Sequence, residues 1–353
     1  MLSQGLRYGV LGTGYVADWW VESVSGSQEV SVVAVASRAP QRAQAFALRH
    51  RLPRAHTSYQ ALLADPQIDA VYIALPNNWH ANWVHAALVA DKHVLCEKPL
   101  ALDGDTAAAL YATAASRRRL LLEGFPYRYT RHCARVVDLL REGAIGRPRM
   151  LRANWSYVRA ASVRRDAQGR PIDPLVAGGA LEDSGCYAVN LAGLIFGGPP
   201  DSVQAMALCG SHQRDEIFGA ILTFGDALAV LSASFVLPAA PQVQVLGEQG
   251  VLETTFDNVR DSCQPATIRL TRGTSWDAPT DVIVTGGEDG FRGEAEALAR
   301  LVAGERLELP IVSPPQSIDG AATLAALAAS ASERRRIDLR SSPARDPAKA
   351  VFR

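Results

Sequence analysis

Between Leu6 and Glu123 short, mostly apolar runs alternate with longer stretches in which apolar residues recur every three or four positions. The short runs are Tyr8–Leu11, Val30–Ala36, Ala70–Leu75, His93–Glu97 and Leu120–Glu123. Runs with no polar alternation predict strands buried on both faces. The stretches between them predict helices over Tyr15–Val24, Pro40–Arg51, Ser58–Ala64, Asn78–Ala90 and Asp103–Arg118. Asp65-Pro66 and Asp103-Gly104 supply turn signals in the gaps. Strand and helix in strict alternation predict an α/β domain built on a doubly wound parallel sheet.

The rhythm changes near residue 126. Helical patterns at His132–Glu142 and Gly185–Phe196 are followed by closely spaced runs of strand character. These are Val203–Leu208, Phe218–Phe224, Leu228–Phe235, Val243–Leu246, Val251–Thr255, Ile268–Thr271 and Val282–Val284. Hairpin-type turns such as Phe224-Gly225-Asp226 and Gly247–Gly250 separate several of them. Two further helices are predicted at Arg292–Ala303 and Ser317–Arg334. The expected division is a nucleotide-type α/β domain over 1–126, an α+β domain with a large, mostly antiparallel sheet over 127–340, and a tail over 341–353. There is no internal repeat.

Composition narrows the function classes. The 353 residues are 48% hydrophobic and 20% charged, with zero formal net charge, so the whole-chain basic footprint of a nucleic-acid binder is missing. The runs Arg117–Arg119 and Arg334–Arg336 each close a helical pattern, where cations suit the helix C-terminus. Five scattered cysteines with no C-x-x-C pair point to a reducing compartment. No signal-peptide pattern and no apolar stretch of membrane-spanning length occur, so the expectation is a cytoplasmic protein without a membrane partner. The seven histidines show no zinc-type spacing, and no metal is expected. The basic residues are unevenly written: Lys92, Lys98 and Lys349 are the only lysines and all the rest are arginine. A partly buried lysine can release its proton near neutrality and an arginine cannot. Lys98, in Cys96-Glu97-Lys98-Pro99 at the end of a predicted strand, is therefore a candidate for proton chemistry.

Gly12-Thr13-Gly14-Tyr15-Val16-Ala17 follows the first strand and opens a helix. In a G-x-G-x-x-A turn the first glycine permits the tight bend and the second lets a pyrophosphate approach the backbone. The small third residue lets helix pack on strand. Dinucleotide binding is the expectation. The second strand ends Val35-Ala36-Ser37-Arg38, with Arg42 one helical turn on and no acidic residue. A hydroxyl and two guanidiniums suit a 2′-phosphate, favouring NADP(H). NAD(H) remains possible, with Arg38 stacked on adenine.

These segments, read together, resemble the Gfo/Idh/MocA oxidoreductase family. The residues that carry the resemblance are Gly12–Ala17, Ala74-Leu75-Pro76-Asn77-Asn78-Trp79-His80, Glu97-Lys98-Pro99, Glu123-Gly124-Phe125 and Gly178-Gly179-Ala180-Leu181-Glu182-Asp183-Ser184-Gly185-Cys186-Tyr187. The resemblance implies a Rossmann domain followed by a domain whose open sheet serves as a homodimer or homotetramer interface. It implies that Leu75, Pro76, Asn77, His80, Glu97 and Lys98 line the cofactor site. Many members carry histidine four residues after the aspartate. Here Tyr187 stands there, as in dimeric dihydrodiol dehydrogenases and NADP-dependent D-xylose dehydrogenases. Glu123–Arg131 lacks the His-Pro that often follows Arg-Phe in the family, so sugar specificity does not carry over with the rest.

The expected activity is hydride transfer between nicotinamide and a hydroxyl or carbonyl carbon of a sugar, polyol or cyclic diol. Tyr187 is the expected general acid/base, Lys98 its tuning partner or itself the proton carrier, and Asp183 the residue that orients them. Two other roles stand beside these: Tyr187 as a core aromatic and Asp183 as a helix N-cap. Phe125, Arg128, Trp155 and Arg164 are candidate substrate residues, with Tyr157 and Arg159 in the same segment. Two alternative functions remain: reduction of an imine or keto intermediate of secondary metabolism, and cofactor binding without turnover in a regulator.

Overall fold

The computed structural model describes residues 5–158, 178–210, 214–238, 241–256, 265–275 and 277–339. The expected tail and the candidates Arg159 and Arg164 lie outside the described residues. The first part of the chain runs β1 (Leu6–Leu11), α1 (Tyr15–Val24), β2 (Val30–Ala36), α2 (Pro40–Arg49), β3 (Arg54–His56), α3 (Tyr59–Leu63), β4 (Ala70–Ile73), α4 (Asn77–Val89), β5 (His93–Glu97), α5 (Gly104–Ser116) and β6 (Leu121–Gly124). The six strands form a parallel sheet in the order β3-β2-β1-β4-β5-β6. The order reverses between β1 and β4. That reversal opens a crevice at the carboxyl ends of these two strands, where ligands of doubly wound sheets bind. The Gly12 turn and the Leu75 segment both leave the sheet at this point.

The second part is a mixed sheet backed by helices. A 3₁₀ turn (Pro126–Tyr129), α6 (Arg131–Arg141) and β7 (Pro148–Ser156) lead to a π-helical turn at Leu181–Gly185 and α7 (Cys186–Phe196). Then come β8 (Ser202–Cys209), β9 (Asp215–Phe224), β10 (Ala227–Ser234), β11 (Gln242–Gly247), β12 (Gly250–Thr254), β13 (Ala266–Arg272) and β14 (Thr280–Thr285), followed by α8 (Gly290–Val302), α9 (Pro314–Glu333) and β15 (Ile337–Asp338). The nine strands run in the order β14-β13-β12-β11-β7-β10-β9-β8-β15, and only the β7–β10 pairing is parallel. Helices α7 and α9 bury one face of this sheet. The other face carries a row that crosses the sheet in register: Gln204, Ile221, Val230, Arg152, Gln244, Glu253, Arg269 and Val282.

Three strands went unpredicted. β3 and β15 are short, with little apolar signal. β7 is central, yet its Pro-Arg-Met-Leu-Arg-Ala-Asn-Trp-Ser sequence interleaves Arg and Asn, which face outward on the open side of the sheet. The division at residue 126 is also less clean than expected. Helix α8 returns from the second part and packs Phe291, Ala295 and Leu298 into the core under the first sheet, beside Tyr8, Trp20 and Tyr72. Trp20 stacks on Tyr72 at 4.1 Å between ring centroids, with Tyr8 edge-on at 5.1 Å.

Glu294, on α8, is fully buried in this core, and among the described residues neither carboxylate oxygen makes a hydrogen bond of good geometry, with Trp20 the indole that weakly favours its charged form. Burial drives its pKa well above the ordinary carboxylate range, and the negative charge of Glu97 adds to the rise. The carboxyl therefore keeps its proton to higher pH in the folded protein than in the unfolded chain. A folded-state pKa raised in this way stabilises the fold at acid pH and loses that contribution as pH rises. Glu294→Gln should remove part of the fall in thermal midpoint between pH 5 and pH 8 while leaving the midpoint at pH 5 within a few degrees. Parallel midpoint profiles for the two proteins would show that Glu294 is not held neutral.

Candidate active site

The turn after β1 has the shape its sequence predicts. Gly12 adopts φ +114°, and a Cβ there would lie 2.4 Å from the Ala74 carbonyl oxygen. At Gly14 a Cβ would meet nothing within 4 Å, and Gly14 caps α1 without any side-chain hydrogen bond. The start of α1 thus carries no N-cap side chain and is open at the Gly14 Cβ position. That cradle fits a dinucleotide pyrophosphate, with Thr13, Tyr15 and Val16 at its rim. Ala17, in the small-residue position, is fully buried against the strand. At the end of β2, Ser37 is buried and its Oγ accepts from the Ala39 amide at 3.4 Å. The Arg38 guanidinium lies over the Trp79 ring at 4.2 Å.

Lys98 leaves the carboxyl end of β5 and reaches across to the second part of the chain. Its Nζ donates to the Asp183 carbonyl oxygen at 2.7 Å and to Asp183 Oδ1 at 3.3 Å. It also lies 5.1 Å from the centre of the Tyr187 ring. Tyr157, at the end of β7, donates from its hydroxyl to Asp183 Oδ2 at 2.5 Å. One carboxylate is thereby gripped by an ammonium and a phenol. Asp183 sits in the π-helical turn, whose wider winding is frequent at functional sites. The turn is built by its neighbours. Asp215 Oδ2 accepts from the Leu181 amide at 2.6 Å, and a Cβ on Gly179 would lie 1.4 Å from Asp215 Oδ1. Asn77 Nδ2 donates to Glu182 Oε2 at 3.1 Å, tying the start of α4 to the same turn.

Electrostatics sets the protonation of the pair. Burial alone would push the Lys98 pKa down. The negative charge of Asp183 and Glu97 opposes burial, an ionised Tyr187 oxygen would add to that opposition, and the balance holds Lys98 well above the ordinary lysine value. Burial pushes the Tyr187 phenol well above its ordinary value, and Lys98 opposes that rise without cancelling it. The resting pair is thus an ammonium beside a neutral phenol. The expectation was a Tyr187 pKa lowered by Lys98; Lys98 does act downward, but burial is the larger effect and the net direction is up. Among the described residues none hydrogen-bonds the Tyr187 hydroxyl. Its ring stacks on Trp155 at 5.5 Å and 11°, with Phe125 edge-on at 5.4 Å.

Several expected contacts take a different place. Trp155 and Phe125 are 5% and 3% exposed, so they brace Tyr187 from behind and do not face an open pocket. Arg128 is 1% exposed, and its guanidinium donates to Pro310 O, Ile311 O, Gln316 Oε1 and Asn190 Oδ1. Its donors are committed to structure, which removes it as a substrate ligand. His80 is buried, with its two ring nitrogens 2.7 Å from Leu75 O and 2.8 Å from Pro99 O. It packs between the Leu75-Pro76 segment and the Lys98 loop; burial lowers its pKa, and the neutral ring donates to one of these two carbonyls. Glu97 accepts from the Tyr72 hydroxyl at 2.6 Å beneath the sheet and points away from the crevice. Lys92, another of the rare lysines, is also buried and donates to Asp65 O and Ile68 O. Retention of lysine therefore marks a compact donor to carbonyls as well as a proton carrier. Among the described residues no cluster of His, Cys, Asp and Glu could hold a metal ion, and no helix is long and apolar enough to cross a membrane.

A fold of this topology, with a glycine turn at the reversal of the parallel sheet and a lysine–aspartate–tyrosine cluster beyond the end of β5, is that of a two-domain nicotinamide-dependent oxidoreductase. Residues 6–125 match the model of an oxidoreductase family with an NAD-binding Rossmann fold, and residues 133–253 match the GFO/IDH/MocA C-terminal domain. The chain is similar to D-xylose 1-dehydrogenase (NADP(+)) 2 of Haloferax volcanii, with 35% identity over 92% of this chain and 97% of the relative. It is 30% identical to trans-1,2-dihydrobenzene-1,2-diol dehydrogenase of Xenopus tropicalis over 81% of this chain and 80% of the relative. Among solved structures, a 3-ketoreductase from Actinomadura kijaniata in complex with TDP-benzene and NADP superposes with a TM-score of 0.79 at 28% identity, covering 93% of this chain and 98% of that one. The chain belongs to the Gfo/Idh/MocA family and is an NAD(P)-dependent oxidoreductase.

Glu123, whose place in the Glu123-Gly124-Phe125 segment carries no local signal of its role, secures the loop that follows Lys98. Its Oε1 accepts from the Leu100 amide at 2.8 Å and its Oε2 from the Ser317 hydroxyl at 2.5 Å. Burial pushes its carboxyl up to about 7, against the pull of those two hydrogen bonds. The folded-state value lies above the unfolded one, so the stabilisation is complete below about pH 4.5 and is lost as pH rises through about 7. Glu123→Gln keeps an acceptor for Leu100 and should flatten the thermal midpoint between pH 5 and pH 8. A profile that still falls as steeply as in the wild type would refute this.

Proposed function

We propose that the enzyme transfers a hydride between NADP(H) and a hydroxyl or carbonyl carbon of a sugar or cyclic diol, with Tyr187 as proton donor. The carrying observation is the Lys98 ammonium held between Asp183 and the Tyr187 ring. The nicotinamide supplies the hydride chemistry. The protein's task is the single proton and the charge that develops on the substrate oxygen. In the reductive direction the neutral Tyr187 hydroxyl gives its proton to that oxygen. Lys98 then faces the phenolate and stabilises it, and Asp183, clamped by Tyr157, keeps Lys98 from turning away. Arg38 and Arg42, with no acid at the end of β2, support NADP(H). So does the similarity to a xylose dehydrogenase named for NADP(+) and to a 3-ketoreductase solved with NADP.

A keto-intermediate reductase uses the same residues. That reading is favoured by the similarity to dTDP-3,4-didehydro-2,6-dideoxy-alpha-D-glucose 3-reductase of Actinomadura kijaniata, which is 36% identical over 60% of this chain and 61% of the relative. Turnover of aldoses, diols and nucleotide-linked keto sugars separates the two. Tyr187→Phe and Lys98→Met should each lower kcat by about 10²-fold or more while NADP(H) affinity stays within about fivefold. Full turnover in either variant with cofactor bound would remove that residue's role.

The outward face of the nine-stranded sheet suits a second copy of the chain. Met206, Ile221 and Val230 are exposed large apolar residues on adjacent strands β8, β9 and β10. They adjoin a polar ladder in which Arg152 meets Gln244 at 3.2 Å and Gln244 meets Glu253 at 2.9 Å. Light scattering should find a dimer or tetramer that Ile221→Arg dissociates without loss of fold. A monomeric wild type would contradict the assignment. Four described cysteines are free thiols, which supports a reducing, cytoplasmic setting.

A further inference from the structure

Arg38 ends β2 as an exposed, rotamer-rich side chain, yet it is not left to wander. Its guanidinium carbon lies 4.2 Å from the centre of the Trp79 ring. Trp79 is half-buried in the first turn of α4, at the edge of the crevice. Trp83, one turn along the same helix face, packs edge-on against Tyr59 at 4.7 Å. Tyr59 feels the charges of both Arg38 and Arg42, which hold down a phenol that burial pushes up. Two guanidiniums and three aromatic rings therefore share one corner of the crevice, beside the Gly12 turn whose amide donates to Ala36 O at 3.1 Å.

We propose that Trp79 is a specificity-determining residue for the cofactor, holding the Arg38 guanidinium in a fixed plane for the 2′-phosphate of NADP(H). The inference rests on the NADP(H) reading above. A guanidinium stacked on an indole uses only its face. Its five N–H groups lie in the plane, so the donors not turned to the Tyr59 hydroxyl stay available for bidentate contact with a phosphate. Indole is the strongest of the aromatic platforms for a cation, and it fixes Arg38 before any ligand arrives. Ser37, buried and with its oxygen turned to the Ala39 amide, adds no charge of its own. The discrimination between a 2′-phosphate and a 2′-hydroxyl then depends on how well Arg38 is held.

Calorimetric binding of 2′,5′-ADP and of 5′-AMP tests this without turnover. The wild type should prefer 2′,5′-ADP. Trp79→Leu should weaken 2′,5′-ADP by roughly fivefold and leave 5′-AMP within about twofold, and Trp79→Phe should fall between. In an Arg38→Met background, Trp79→Leu should have no further effect, since the platform then has nothing to hold. Equal losses for both ligands, or an undiminished 2′,5′-ADP preference in Trp79→Leu, would overturn the role of Trp79 alone. A wild type that binds the two ligands equally would overturn the NADP(H) reading, and this inference with it. Thermal midpoints of the variants separate loss of fold from loss of discrimination, and Trp79→Phe retains an aromatic ring if the leucine variant does not fold.

Discussion

The contact on which the rest depends is the bond from Lys98 Nζ to the main-chain oxygen of Asp183. It crosses from the end of a parallel strand to a π-helical turn at the edge of the second sheet. An ammonium that is 13% exposed is costly to bury unless its donors are satisfied. Here a carbonyl, a carboxylate oxygen and the face of a phenol ring surround it. The groups that fix its two ends belong to the same construction. His80 and Glu123 hold the loop that follows Lys98, and Asp215 and Gly179 shape the turn that presents Asp183. Asn77 and Glu182 join the cofactor side directly to that turn.

The resting charge state follows from competition between burial and pairing. Tyr187 is braced by Trp155 and Phe125, which exclude water from its ring and raise its pKa. Lys98 works against that rise but does not reverse it. The centre is thus loaded with two protons, one on each partner. That state is ready to give a proton to a developing alkoxide, and it is poorly placed to take one from an alcohol without help. Beneath it, Glu97, Glu123 and Glu294 are all pushed above their ordinary values by burial. Burial thus favours the protonated form of each of these three carboxyls and limits the negative charge that gathers under the sheet beside Lys98.

Much of this was legible in the chain because the relevant residues obey local rules. The strand–Gly12–helix turn, the apolar runs of the first sheet and the Leu181–Tyr187 segment each carry their signal within a few positions. What escaped notice depends on distant partners. β7 alternates in a way that only its place at the centre of a one-sided sheet explains. Arg128 reads as a substrate cation until four acceptors from remote segments are seen to surround it. His80 reads as a cofactor ligand until Pro99, nineteen residues away, is found on its Nδ1. The rarity of lysine was informative, but Lys92 shows that a buried ammonium bonded to carbonyls leaves the same trace in composition.

The central claim is that Tyr187 rests as a neutral phenol against the Lys98 ammonium. Tyrosine labelled with ¹³C at Cζ reports phenol ionisation directly, with the Tyr187→Phe variant assigning the resonance. In the free enzyme the account predicts no ionisation of Tyr187 below about pH 10, and a further upward shift once Lys98 is replaced by methionine. Ionisation of Tyr187 near neutral pH, or a titration indifferent to Lys98, would contradict it.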